Sequence, residues 1–366
     1  EALKIIRDLT RKSNCSESAE FLLNEFGFIK DHNIRKLSEY LETSRSGQGK
    51  ALQSGQRKQV WSLFKDYQKH LRDHHITDWH NIAIRFHDKA MAGNCSFPQY
   101  HCILIDEAQF FAKSWFDIVR KALIPGGQLF LAADPTQGFL KRRQSWISSG
   151  IDVRGRTTKL AKPYRNSREI LTFATRFYIQ RQLTFGHQKG DAADPAQSAE
   201  SEELNLLSET QISQAPSLGI EPSLKNLRNE ADCHQQLLVE LESLANSMSP
   251  EDQRHSILIL HSDGKLLNSL QEKLENKLPA LRFHNTKRGP APPNTFAQFA
   301  TLNAATGLEA SVVFLLGVDA ILEKESSPLL AQDERDDLIA QNTKQLYMAF
   351  TRAAQKLVIY SRILAG

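Results

Sequence analysis

Over residues 1–95 apolar positions recur at three- to four-residue spacing, as at Val60, Trp61, Phe64, Tyr67 and Leu71, and strand-like alternation is scarce. That spacing predicts a block of helices. At Cys102-Ile103-Leu104-Ile105 the pattern becomes a short apolar run ending in carboxylates, and a helical repeat follows through Phe111, Trp115, Val119 and Leu123. Gly126-Gly127 breaks the chain before a second apolar run over 129–133. Residues 188–222, rich in Ser, Ala, Glu, Gln and Pro, read as a flexible loop. Beyond them the pattern predicts strands at 224–227, 256–260 and 281–284, with helices at 235–247 and 265–276 between them. Gly289-Pro290-Ala291-Pro292-Pro293 is a turn-rich break, after which a strand at 312–316, a helix at 334–354 and a strand at 357–360 close the chain. Buried-type strands alternating with helices predict an α/β fold with parallel sheets.

The 366 residues are too many for one small module and suit two domains with an insertion. Apolar residues at 40% exclude wholesale disorder. No run of eighteen apolar residues occurs, so no membrane partner is expected. The four cysteines show no Cys-x-x-Cys spacing, which excludes a zinc knuckle or disulfide framework and suits a reducing cytoplasm. His70, His74, His75 and His80 lie near helical spacing but lack a third ligand in register, and read as solvated helix histidines. The sequence opens on Glu rather than Met, and the expectation is a piece of a longer chain, with room for a further upstream domain.

Net charge is +4, yet its distribution is uneven. Residues 141–189 carry twelve Lys/Arg against Asp152 and Glu169, while 190–252 carry thirteen carboxylates against Lys225 and Arg228. A basic belt of that density attracts polyanions, nucleic acid or nucleotide phosphates first; the alternative is a solvated face neutralised by the acidic stretch.

The sharpest chemical signal is Ile103-Leu104-Ile105-Asp106-Glu107-Ala108-Gln109. Adjacent carboxylates at the carboxyl end of a parallel strand sit where α/β sheets place ligands: one can hold Mg²⁺ on a nucleotide's phosphates and the next can activate water. Capping of the following helix is the alternative. A second run, Leu129-Phe130-Leu131-Ala132-Ala133-Asp134-Pro135-Thr136-Gln137, also leads from a strand into polar groups, and Gln137 could bond a terminal phosphate.

These segments resemble the superfamily 1 helicases of the UvrD/Rep-like group. Asp106-Glu107-Ala108-Gln109 is similar to their motif II and Ala133-Asp134-Pro135-Thr136-Gln137 to motif III. Leu160-Ala161-Lys162-Pro163-Tyr164-Arg165-Asn166-Ser167 resembles motif IV, Thr301-Leu302-Asn303-Ala304-Ala305-Thr306-Gly307-Leu308-Glu309 motif V, and Leu346-Tyr347-Met348-Ala349-Phe350-Thr351-Arg352-Ala353 motif VI. The resemblance implies two RecA-like domains: 98–157 as the remainder of the first, N-terminally incomplete, 158–366 as the second, and 1–97 as an inserted helical (1B-like) subdomain. It also implies an ATP-dependent translocase or helicase acting on single-stranded or partly duplex DNA, of a kind associated with DNA repair.

In that resemblance Asp106 holds Mg²⁺, Glu107 activates water and Gln137 senses the γ-phosphate. Tyr164 stacks on adenine, with Gly307 beside the nucleotide and Glu309 on the ribose. Arg165 and Arg352 reach the γ-phosphate from the second domain, so that hydrolysis takes place in the cleft between the two. Phe139, Lys141, Arg142, Arg143, Thr301 and Asn303 occupy the nucleic-acid-contacting positions.

The sequence departs from the family pattern in several places. No Gly-x-x-x-x-Gly-Lys-Ser/Thr phosphate loop is present; Gly49-Lys50-Ala51 is a decoy with neither the hydroxyl nor a preceding strand. The expectation is therefore that the isolated chain hydrolyses ATP poorly. The rival reading is a non-catalytic nucleic-acid-binding or regulatory module that keeps the scaffold without the motor.

Overall fold

The computed structural model describes the chain except residues 14, 16, 44–51, 97, 134–145, 147–148, 159, 161, 186–205, 248–256, 329–331 and 366. It is a mixed α/β protein with parallel sheets, divided into two compact units, Glu1–Thr158 and Lys159–Gly366.

Unit 1 begins with five helices, α1 (Ala2–Ser13), α2 (Ala19–Asp31), α3 (Leu37–Glu42), α4 (Ser54–Asp73) and α5 (Trp79–Met91). Their apolar stripes meet in a core that includes Ile6, Leu22, Phe26, Tyr40, Val60, Trp61 and Tyr67. Several polar groups inside it are partnered, as burial favours. The Tyr40 hydroxyl donates to Glu25 at 2.5 Å, and Asp78 takes Lys30, the Tyr67 hydroxyl and, as N-cap of α5, the Asn81 amide. The His70 and His74 rings stack 4.0 Å apart. Among the described residues no three His, Cys, Asp or Glu side chains are grouped to hold a metal ion.

β1 (Tyr100–Ile105), α6 (Lys113–Ala122) and β2 (Leu123–Leu131) follow, and the two strands pair in parallel. Ile103, Ile105, Leu129 and Leu131 share a small core with Phe116 of α6. On the other face Leu104 and Phe130, directly paired, are 72% and 60% exposed.

The sequence pattern places a break at Gly126-Gly127; the structure carries the strand through it. Tyr100 pairs with Leu123 and Cys102 with Gln128, so β2 advances five residues where β1 advances two. Gly126 absorbs this bulge at φ +79°, and a Cβ on Gly127 would stand 3.0 Å from the Ile124 carbonyl oxygen. Leu123, read as the end of the helix, is for the same reason the first residue of the strand.

Unit 2 contains α7 (Arg168–Phe185), α8 (Glu209–Ser213), β3 (Ser223–Lys225), α9 (Glu230–Ser247), β4 (Ile257–His261), α10 (Gly264–Lys277), β5 (Phe283–Asn285), β6 (Ala297–Thr301), β7 (Ala310–Leu316), α11 (Val318–Glu325), α12 (Gln332–Phe350), β8 (Ala353–Tyr360) and α13 (Arg362–Ala365). Its six strands run parallel in the order β3-β8-β7-β4-β6-β5. Every residue of β4 is buried, which explains the unbroken apolar run Ile257-Leu258-Ile259-Leu260. Leu237 and Leu241 of α9 and Leu267, Leu270 and Leu274 of α10 close one face over Ile259, Phe299 and Phe314. α7 and α12 pack on each other and on β8.

Several elements differ from the sequence pattern, among them α7, over which no helix is predicted. β6 has Phe299 as its only large apolar residue, between Gln298 and Thr301, and gives too weak an apolar run to stand out. α11 follows β7 through a single left-handed Gly317. Within 188–222, read as a loop, α8 forms where Ser208 and Gln211 make a reciprocal capping box and Ile212 finds burial. No helix among the described residues is long and apolar enough to cross a membrane.

Candidate functional site

The carboxylate pair of unit 1 lies at the carboxyl end of β1. The Ile105 carbonyl accepts the Ala132 amide at 2.8 Å, and the Ala108 amide donates to the Ala132 carbonyl at 2.9 Å, so the two strand ends leave the sheet together. Glu107 occupies the left-handed region at φ 53° and ψ 38°, immediately before a 3₁₀ turn over Ala108–Phe110. A non-glycine residue there is strained by roughly 1–3 kcal/mol, a feature that clusters at functional sites. Asp106 is exposed, and its Oδ1 accepts the Glu107 amide at 2.9 Å. Gln109 Nε2 donates to Glu107 Oε2 at 2.5 Å and aims that carboxylate. The exposed oxygens of Asp106 fit Mg²⁺, which takes one or two protein carboxylates and fills the remaining positions with water and substrate phosphate.

The residues implied in unit 2 come from three separate stretches of sequence and meet at one locus. Asn166 Nδ2 donates to the carbonyls of Thr351 and Ala353 at 2.7 and 2.6 Å, and the Ser167 amide donates to the Ala354 carbonyl at 2.8 Å. The amide of Ala310 donates to the Arg352 carbonyl at 3.1 Å. These bonds bring Arg165, Glu309 and Arg352 together. Arg165 Nη1 stands 2.5 Å from Glu309 Oε1, with side chains 52% and 37% exposed. Arg352 is 2% exposed; its Nη1 donates to the Leu308 carbonyl and its Nε to the Met348 carbonyl, each at 3.2 Å. Gly307, at φ +76°, turns the chain from β6 towards Glu309. Tyr164 is 78% exposed, with Lys162 Nζ 5.1 Å from its ring centre.

Thr301 and Asn303 flank the end of β6. A Cβ on Gly264, the first residue of α10, would lie 3.4 Å from Thr301 Cγ2 and 3.1 Å from Lys287 Nζ, so the positive end of α10 and a lysine stand beside Thr301 at the carboxyl edge of the sheet. The backbone amides of Leu266 and Lys265 hold the capping carboxyl of Asp263 below the usual carboxylate range. Gln345 Nε2 donates to Asn303 Oδ1 at 2.6 Å. Gln137, Phe139, Lys141, Arg142 and Arg143 lie outside the described residues.

Sequence reasoning gave no role to Asn166, although its two bonds carry the unit 2 locus. The only local signal is its place before Ser167, whose Oγ accepts the Ile170 amide at the start of α7. Lys287 was equally invisible, since its position depends on how β5 and β6 lie in the sheet.

Residues 3–148 match the family model of the UvrD/REP helicase N-terminal domain. The matched span covers the helical block, β1 with its carboxylates, and β2. Among solved structures, the C-terminal domain of a possible DNA helicase from Lactobacillus plantarum WCFS1 is similar at 16% identity and a TM-score of 0.32, over 54% of this chain and 86% of that one. No curated protein matches the chain.

Proposed function

We propose that this chain is part of a UvrD/REP-type ATP-dependent translocase of single-stranded DNA, with RecA-like units. The observation that carries the proposal is the unit 2 locus, where Asn166 ties the Tyr164-Arg165 segment to Thr351 and Ala353 while Arg165 pairs with Glu309. The family match over residues 3–148 supports the same reading for Asp106 and Glu107.

In this reading Asp106 holds Mg²⁺, which neutralises phosphate charge when bound, and Glu107, aimed by Gln109, takes a proton from the attacking water. Tyr164 offers an exposed ring to adenine and Glu309 a carboxylate to the ribose. An ion pair as exposed as Arg165–Glu309 is worth only ~0–1 kcal/mol, so a triphosphate can replace Glu309 as the partner of Arg165 at little cost. Arg352 is held by two carbonyls and enters only when they release it, which would couple hydrolysis to a change in the domain. Thr301, Asn303 and the basic belt, with Phe139, Lys141, Arg142 and Arg143, hold single-stranded DNA. The sequence contains no phosphate loop, so the isolated chain turns over ATP near background. That same absence favours the second reading, a nucleic-acid-binding module without a motor.

Photolabelling with 8-azido-ATP and Mg²⁺ near millimolar concentration separates the two. The expected product is a modified peptide containing Tyr164, reduced severalfold by Arg165→Ala and displaced by ATP. Labelling that is absent, or indifferent to Arg165→Ala and to Tyr164→Ala, refutes the nucleotide site and leaves the binding module.

A further inference from the structure

Within unit 1 the helical block meets the part that carries β1 and β2 where α5 packs on α6. His87 of α5 is buried in that seam. A ring so enclosed has to satisfy its two nitrogens from the groups around it. Nδ1 lies 3.3 Å from Asp88 Oδ1. Nε2 faces two groups at once: Asp117 Oδ2 of α6 at 3.3 Å and Asn33 Nδ2, in the chain just beyond α2, at 3.5 Å.

The two neighbours of Nε2 call for opposite protonation states. Asn33 Oδ1 accepts from Arg35 Nε at 2.6 Å, which orients the amide so that its Nδ2 donor faces the ring. Only a bare Nε2 lone pair can receive that donor. Asp117 is an acceptor, and the ring can serve it and Asp88 together only as the imidazolium, with a proton on each nitrogen. The neutral ring keeps its proton on Nδ1, because the other tautomer would set a bare Nδ1 against the Asp88 carboxylate. Both carboxylates are anchored from behind. Arg35 holds Asp88, and Arg120 holds Asp117 Oδ1 while donating to the carbonyls of Ser149 and Gly150 at 2.7 and 2.9 Å. α2, which also packs on α5, has its Lys30 and Asp31 engaged by Asp78 and His80.

We infer that His87 is a pH-operated latch between the helical block and α6. Charged, it bridges Asp88 and Asp117 and ties α5 to α6. Neutral, it keeps Asp88, takes the Asn33 amide in place of Asp117, and leaves the seam without its ion pair. The seam is therefore tighter on the acid side of the ordinary histidine range, near pH ~6.5, and looser on the alkaline side. In the chain α6 lies between β1, which ends at Asp106-Glu107, and β2, so the latch sets how firmly the helical block holds the strand pair. It does not depend on the translocase reading.

The test uses the full chain, isotopically labelled at the histidine nitrogens, with His87 assigned by the resonances that His87→Gln removes. Nitrogen shifts are followed from about pH 5.5 to about pH 8.5, either side of the ordinary histidine range. Both His87 nitrogens should carry protons at the acid end, and Nδ1 alone at the alkaline end. Hydrogen exchange at the same two pH values, divided by the intrinsic rate at each, reads the seam. Peptides from α6 should exchange at least ~threefold faster at the alkaline end, while those from α4 keep one rate. Asp117→Asn, which leaves His87 in place, should bring the α6 ratio to within about 1.5-fold of unity, as should His87→Gln. His74→Gln, at an exposed position of the same chain, should keep the parent's ratio. Melting curves establish that each variant is folded, and if His87→Gln is not, Asp117→Asn and the parent's shifts decide. A neutral ring protonated on Nε2, an α6 ratio near unity in the parent, or a parental ratio in Asp117→Asn overturns the inference.

Discussion

Arg181 of α7 forms a largely buried ion pair with Glu325 in unit 2. Its Nη2 reaches both oxygens of Glu325, at 2.7 and 2.6 Å, and its Nε donates to Thr343 Oγ1 at 2.8 Å. The two side chains are 14% and 7% exposed. Arg181→Met removes the cation and leaves the carboxylate buried, with the Asn342 Nδ2 donor at 2.8 Å still beside it. Breaking a buried pair from one side costs about 3–5 kcal/mol. The surviving Asn342 bond places this case near the lower end, about 3 kcal/mol. For a unit of this size that lowers Tm by roughly 6–12 °C, at ~2–4 °C per kcal/mol. In Arg181→Met/Glu325→Leu neither charge remains to be desolvated, and stability should return to within about 1 kcal/mol of the parent. Urea unfolding of the parent, both single variants and the double variant closes the cycle. A loss below about 1 kcal/mol in Arg181→Met would show that the pair behaves as a solvated one. A double variant no better than Arg181→Met would show that shape rather than charge sets the cost. Either result refutes the argument.

Two further outcomes follow from single contacts. Asn166→Ala deprives the Thr351 and Ala353 carbonyls of a shared donor and should cost about 1–3 kcal/mol; a smaller 8-azido-ATP label at Tyr164 in protein that is still folded would show that the bonds also hold the locus in place. Glu169 accepts from the Ser217 hydroxyl and from the Gly219 and Leu218 amides, which lower its carboxyl to about 2 from the ordinary 4.5. Because the folded value is the lower one, this contribution is complete above pH 4.5 and fades as pH falls towards 2. Glu169→Gln should therefore flatten the acid limb of a stability-against-pH curve over that window, and an unchanged limb would contradict the assignment.

The β4 strand and helices α9, α10 and α12 were legible along the chain because burial on one or both faces is written directly into residue spacing. So was the carboxylate pair, since a strand that ends in Asp106-Glu107 can be seen without knowing what lies beside it. The course of β2 was hidden: Gly126-Gly127 reads as a break, and only pairing with β1 makes it a bulge. The unit 2 locus shows the same division. The resemblance to UvrD/Rep-like helicases singled out Arg165, Glu309 and Arg352, but their meeting depends on Asn166 bonding carbonyls 185 and 187 residues away. The burial of Arg352 and the pairing of Arg165 with Glu309 were likewise decided by folding. Local spacing encodes which face of an element avoids water. Which faces meet depends on sheet order and register, and these are set by the whole chain at once.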